Sequence, residues 1–260
     1  MPVRILWLCL LLALPLATGA EETRRPFSLP VSFETSDGFV LKGDLTSSAD
    51  ANAPVAILLH MYRSDRGAWA PLVPELAAAG FTVLAIDQRA HGESKQQRGE
   101  RVDVASIPRT EFGELVRHGV RDVRAAALYL AQQGLATDRI VLIGASYGCS
   151  VSLLSAQAVE GVRALVLLSP GTNYFGVDVV PAASGFPGPL LVVAAEDDRP
   201  SVESARVIAA RHRGAGDLEI YRSGGHGTRL FGPRPQLKQR IVEFAAKAVG
   251  PANSPGVSVR

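Results

Sequence analysis

Five short, nearly uninterrupted apolar runs constrain what this chain can fold into: VAILL at 55–59, FTVLAI at 81–86, IVLI at 140–143, ALVLL at 164–168 and LLVVA at 190–194. A strand with one face in water alternates apolar and polar residues, whereas a run without alternation suits a strand covered on both faces. Helical patterns fill the intervals, at 68–79, 114–133, 147–158 and 202–213, and a last one covers 236–249. Strand and helix in this alternation predict an α/β fold with a mostly parallel central sheet, right-handed crossovers and helices on both faces. Ahead of the first run, residues 31–46 alternate around Ser36-Asp37-Gly38. Asp-Gly readily takes the positive dihedrals of a tight turn, so an antiparallel hairpin is expected there.

On such a sheet, ligands bind beyond the carboxyl ends of the strands. The run at 140–143 leads directly into Gly144-Ala145-Ser146-Tyr147-Gly148, a G-x-S-x-G pattern between an expected strand and an expected helix. A serine at the apex of a sharp strand-to-helix turn adopts strained backbone angles, and small residues two positions away on either side let the chains pass closely. Its hydroxyl then projects past the sheet, beside a helix amino terminus that favours negative charge.

A serine hydroxyl needs an adjacent base, itself oriented by a third group. Among five histidines, His226 in Ser223-Gly224-Gly225-His226-Gly227 follows the strand-like Leu218-Glu219-Ile220-Tyr221 and sits on a flexible loop. Carboxylates follow the run at 190–194, and either Asp197 or Asp198 is placed to hold a histidine tautomer. His60 and His91 read as loop-bonding residues, His118 and His212 as surface residues, and Cys149 as a buried small hydrophobe.

These residues resemble the α/β-hydrolase family, and most closely its compact dienelactone-hydrolase-like esterases. The resemblance covers about residues 31–249. Besides GASYG it rests on Leu58-Leu59-His60-Met61-Tyr62 and on Asp87-Gln88-Arg89-Ala90-His91-Gly92-Glu93-Ser94, similar to the family turn D-x-R-G-x-G-x-S. It implies a triad of Ser146, Asp198 and His226, with Asp198 chosen over Asp197 because Ala195 stands where the family has glycine. It also implies an oxyanion hole from the backbone amides of Tyr147 and Tyr62. Met61 replaces the family glycine after His60, which leaves Met61 open as the second donor. Family members with a helical lid often insert it in the stretch between 169 and 189, which is too short for one here, so an open site is expected.

Length and composition bound the rest. At 260 residues and 47% hydrophobic, the chain is expected to form one domain over 31–249. The first twenty residues, with Arg4, an apolar stretch over 5–16 and small residues before Glu21, read as a signal peptide cleaved after Ala20. That predicts an exported protein, periplasmic or secreted, with no transmembrane segment in the mature chain. Residues 21–30 and 250–260 are expected to be poorly ordered.

Removing 1–20 leaves Cys149 as the only cysteine, so no intramolecular disulfide is expected. Formal charge is +2 from 27 basic and 25 acidic residues, and there is no basic stripe with interleaved aromatics, which argues against a nucleic-acid partner. No His, Cys or carboxylate spacing suggests a metal, and the chemistry above needs no cofactor. Nothing specifies an oligomeric state. The expectation is a serine hydrolase acting on small or medium carboxylic esters. The alternatives are a peptidase or amidase on the same triad, or a noncatalytic binding protein on this scaffold.

Overall fold

The apolar runs form the centre of one mixed sheet in the computed structural model, which describes residues 28–250. The expected signal peptide, residues 21–27 and the tail from 251 lie outside the described residues. In chain order the elements are β1 (Ser28–Glu34), β2 (Phe39–Thr46), β3 (Val55–Leu59), α1 (Val73–Ala78), β4 (Thr82–Asp87), β5 (Gln96–Gln97), β6 (Glu100–Arg101), α2 (Phe112–Gln132) and β7 (Ile140–Ala145). There follow α3 (Tyr147–Ser155), β8 (Val162–Leu168), β9 (Asn173–Tyr174), β10 (Val177–Asp178), α4 (Val180–Gly185), β11 (Leu190–Ala195), α5 (Arg199–Arg211), β12 (Gly216–Tyr221) and α6 (Gln236–Val249).

The strand order is β12-β11-β8-β7-β3-β4-β2-β5-β6, with β1 paired to β2. From β12 to β4 every pairing is parallel, and the β1–β2 hairpin adds the antiparallel edge. The apolar runs divide their residues between two cores. Ile57, Leu59 and Leu142 face α2 and α3, while Leu58, Val141 and Ile143 face the side covered by α1 and α6. Two covered faces explain why these strands lack polar alternation.

After β3 the chain steps to β4 on one side and then crosses to β7 on the other. Such a reversal opens a crevice at the carboxyl ends of the two strands. Leu59, the last residue of β3, lies opposite Gly144 near the end of β7. The segments that follow, His60 to Tyr62 and Ser146, therefore emerge side by side.

Three segments differ from expectation. The helix expected at 68–79 is a 3-10 turn, Arg66–Trp69, followed by the short α1. Pro71 and Pro74 supply no backbone N–H, which breaks a continuous ladder. Strand β1 takes in residues 28–30, ahead of the expected start at 31, because they pair with Asp44 to Thr46 at the sheet edge. The segment 93–112, long, charged and without clear periodicity and so expected as a loop, contains the hairpin β5–β6, turned by two left-handed residues, Arg98 and Gly99, and paired to β2. It extends the sheet edge instead of bordering the cleft at Ser146. No helix among the described residues is long and apolar enough to cross a membrane, and no large lid domain is present among them.

Candidate active site

No loop separates β7 from α3: Ala145 ends one, Tyr147 begins the other, and Ser146 makes the turn alone. Its φ of 52° and ψ of −114° are strained for a residue with a Cβ. The flanking glycines let the turn close. A Cβ on Gly148 would collide with the Leu59 carbonyl, and one on Gly144 would meet Gly148 O and Ser152 Oγ. The Ser146 amide donates to Leu168 O at 2.9 Å, tying the turn to β8. Cys149, one turn on, is buried, and its thiol donates to Gly144 O at 3.2 Å and Leu168 O at 3.4 Å. Tyr147 opens the helix, so its N–H belongs to the first turn, where amides have no intrahelical partner.

The acid and base come from the ends of β11 and β12. His226 Nδ1 lies 2.6 Å from Asp198 Oδ2, with Ser201 Oγ at 3.4 Å from the same nitrogen. Asp198 occupies the N-cap position of α5 without a side-chain capping bond, which leaves its carboxylate to the imidazole. Asp197 turns away from His226: its carboxylate accepts the amides of Gly224 and Gly225 at 3.0–3.2 Å. Those bonds hold its carboxyl below the usual carboxylate range and clamp the loop that carries His226. Gly227 N donates to Ser169 Oγ at 2.9 Å, a second tether on that loop. Adjacent carboxylates thus have separate tasks, one on the imidazole and one on its loop.

On the other flank, the segment after β3 is locked from behind. His60 Nε2 accepts the Gln88 amide at 3.1 Å, so Nδ1 is the protonated nitrogen and donates to Met61 O at 2.7 Å. Burial first, and the neighbouring His91 second, push His60 down to about 3, keeping it neutral. His91 Nδ1 pairs with Arg89 O at 2.8 Å, and Arg89 is buried between Asp122 and Asp37 at 2.7 and 2.8 Å. Asp87, also buried, takes Arg66 N at 2.7 Å and Glu93 N at 2.8 Å. The DQRAHGES turn is therefore a latch that fixes the back of this segment. Among the described residues, neither Met61 nor Tyr62 gives its amide to a backbone acceptor, so both stay available to an oxyanion.

These flanks enclose a cleft of about 510 Å³ whose walls include Met61, Tyr62, Ser146, Tyr174, His226 and Arg229. Ser146 and His226 share it, and Asp198 stands behind the imidazole. A cleft of about 420 Å³ between β12 and α6 contains no serine, cysteine or histidine. No cluster of metal-ligating residues occurs among the described residues.

Tyr174 had no signal in the sequence. It sits on the small hairpin β9–β10, turned by Phe175 and Gly176 at φ 56° and 78°. Phe175 packs edge-on against Tyr62 and Phe112, with ring centroids 5.3 and 5.0 Å away, which anchors a bulky residue in the left-handed region. Ser146 Oγ donates to Tyr174 Oη at 3.2 Å. The Phe-Gly pair was the one available turn signal.

Residues 54–203 match a family model described as the alpha/beta hydrolase fold. Epoxide hydrolase A of Mycobacterium tuberculosis is 32% identical over 125 residues, which are 46% of this chain and 34% of that protein. Epoxide hydrolase B of the same organism is 40% identical over 52 residues, 20% of this chain and 15% of that one. The matched part thus spans about a third or less of each of these curated relatives. Among solved structures, an esterase of Pyrococcus furiosus superposes with a TM-score of 0.69 at 21% identity, covering 86% of this chain and 94% of that one. Dienelactone hydrolase of Anabaena variabilis superposes with a TM-score of 0.70 at 20% identity, covering 87% and 100%. At these identities the shared feature is the fold.

Proposed function

This chain belongs to the α/β-hydrolase fold family, and we propose that within it the chain is a serine hydrolase that cleaves carboxylic esters of small or medium size. The observation that carries this reading is the geometry around one cleft: a strained Ser146 at the β7–α3 turn, and His226 held through Nδ1 by Asp198 at 2.6 Å. Ser146 Oγ attacks the acyl carbonyl while His226 Nε2 takes its proton, and Asp198 stabilises the imidazolium. The carbonyl electrons move onto oxygen, where the Tyr147 amide and that of Tyr62 or Met61 receive them; each such donor is worth roughly 3 kcal/mol in the transition state. His226 returns the proton to the leaving alcohol, and water repeats the sequence to free the acid.

The epoxide hydrolase relatives raise a second reading, epoxide opening. A serine that opened an epoxide would form an ether, which has no carbonyl for water to attack. The carboxylate nearest the site, Asp198, is bound to His226. A hydroxyl nucleophile fits an acyl group better, and amides share that chemistry with esters. Export through residues 1–20 is part of the same proposal, on the strength of their charge and apolar pattern.

Turnover of ethyl and aryl esters of increasing acyl length, compared with matched amides and with a styrene-type epoxide, tests the reading. Ester turnover that falls with acyl length and needs Ser146 is expected. Epoxide turnover that survives Ser146→Ala would overturn it.

A further inference from the structure

We propose that Tyr174 is a further catalytic residue, whose phenolic O–H supports the departing alcohol oxygen. The inference rests on the serine-hydrolase reading above. Ser146 Oγ reaches Tyr174 Oη at 3.2 Å. Ser201 Oγ lies 3.4 Å from His226 Nδ1.

The position of the phenol is built, not incidental. Its ring lies against Gly171, where a Cβ would meet ring carbons at 2.7 Å. The next residue, Phe175, is pinned among Tyr62 and Phe112. Tyr174 arises after β8, the strand between β7, which leads into Ser146, and β11, which leads to Asp198. The hairpin that carries it reaches across the cleft, where Phe175 packs on Tyr62. Burial raises its pKa, so the phenol keeps its proton and remains a donor.

In the resting site Tyr174 Oη accepts from Ser146 and retains its own O–H. When Oγ bonds to the carbonyl carbon, its proton passes to His226 Nε2 and the carbonyl π pair moves to the oxyanion. The leaving oxygen now sits on the same carbon as Oγ, closer to it than a hydrogen-bond length, so a phenol in contact with Oγ reaches it. As the carbon–oxygen bond breaks, that oxygen takes the bonding pair and the proton on His226, while Tyr174 donates a hydrogen bond and keeps its own proton. The acyl group stays on Ser146.

This assignment predicts that Tyr174→Phe affects esters according to their leaving group. Departure of an alkoxide needs assistance, whereas a nitrophenolate leaves as a stable anion. With ethyl and p-nitrophenyl esters of one acid, kcat/KM for the ethyl ester should fall roughly ten- to a hundredfold, the worth of a hydrogen bond to a charged group. For the nitrophenyl ester it should change by less than about threefold, within the weak end of neutral hydrogen bonds. The substitution removes one oxygen, and thermal unfolding of both proteins checks that the fold is kept. Equal loss on both esters, or no loss on either, would overturn the assignment and leave the serine-hydrolase reading intact. A parent enzyme that turns over neither ester, and forms no adduct with a fluorophosphonate, would overturn both.

Discussion

The two flanks of the cleft use histidine in opposite ways. Behind Tyr62, His60 gives Nδ1 to Met61 O and takes the Gln88 amide on Nε2, and His91 Nε2 is buried with no hydrogen-bond partner among the described residues, beside the rings of His60, Tyr62 and Tyr147. Across the cleft, His226 is 37% exposed, gives Nδ1 to a carboxylate and leaves Nε2, on the opposite edge of the ring, for the cleft it shares with Ser146. One side chain type serves as a scaffold where burial forbids its charge, and in the proposed triad as an acid–base group beside a carboxylate. The carboxylates divide likewise. Asp122 is sealed against Arg89, while Asp198, 15% exposed, faces the imidazole that the proposed mechanism charges.

The sharpest way to break this comparison is to remove residues from each flank. Ser146→Ala and His226→Ala should each lower kcat by about 10⁴- to 10⁶-fold, with thermal unfolding little changed. His60→Ala should instead reduce the yield of folded protein and leave kcat per folded molecule within about tenfold. Loss of activity without loss of stability in the His60 variant would erase the distinction.

Next in size is the pair of neighbouring aspartates. Asp198→Asn removes the charge that supports the imidazolium and should cost about 10⁴-fold in kcat. Asp197→Asn weakens the clamp on Gly224 and Gly225 and should cost less than about tenfold, since neutral hydrogen bonds are modest. Steady-state kinetics of the two variants side by side decides between them.

On the scaffold flank, Arg89→Met leaves Asp122 buried without its cation. Breaking a buried pair in this way costs about 3–5 kcal/mol, to be read from urea unfolding, while kcat of the remaining folded enzyme holds. Acidification should probe the same flank more gently. Unfolded His60 takes up a proton near 6.5, but the folded ring, pushed down to about 3, does not. Its contribution is present above 6.5 and is lost as pH falls toward 3. His91 shifts in the same direction. Asp37 adds a separate loss at lower pH: burial alone would raise its carboxyl, but Arg89, Thr35 and Arg121 hold it well below 3.8. Urea midpoints should therefore decline steadily from about pH 7 to pH 4; a flat profile would mean that these histidines are not neutral scaffold residues. The smallest effect is expected at Cys149, buried beneath the turn, where Cys149→Ala should cost about 1 kcal/mol and the folded thiol should resist alkylation.

What was legible in the sequence follows from how local each feature is. The strand-to-helix turn at Ser146 is written in five consecutive residues, because two glycines and a serine are needed where Leu59, Gly148 and Ser152 approach. The alternation of apolar runs and helices conveyed the parallel sheet for the same reason. Asp197 and Asp198 are one residue apart, and only the way the chain turns at the N-cap of α5 separates their tasks. Tyr174 was invisible because its relation to Ser146 depends on a hairpin 28 residues further along the chain and on the aromatic packing of Phe175. Charged residues at 93–101 concealed a hairpin that alternation could not reveal, since its strands are two residues long.

The central claim is that Ser146 is an activated nucleophile served by His226. Intact-mass spectrometry after treatment with a fluorophosphonate, on the parent protein beside Ser146→Ala and His226→Ala, tests it most directly. One adduct on the parent, mapped to Ser146 and absent from both variants, is the predicted result. A folded parent that forms no adduct, or an adduct that persists in Ser146→Ala, would contradict the account.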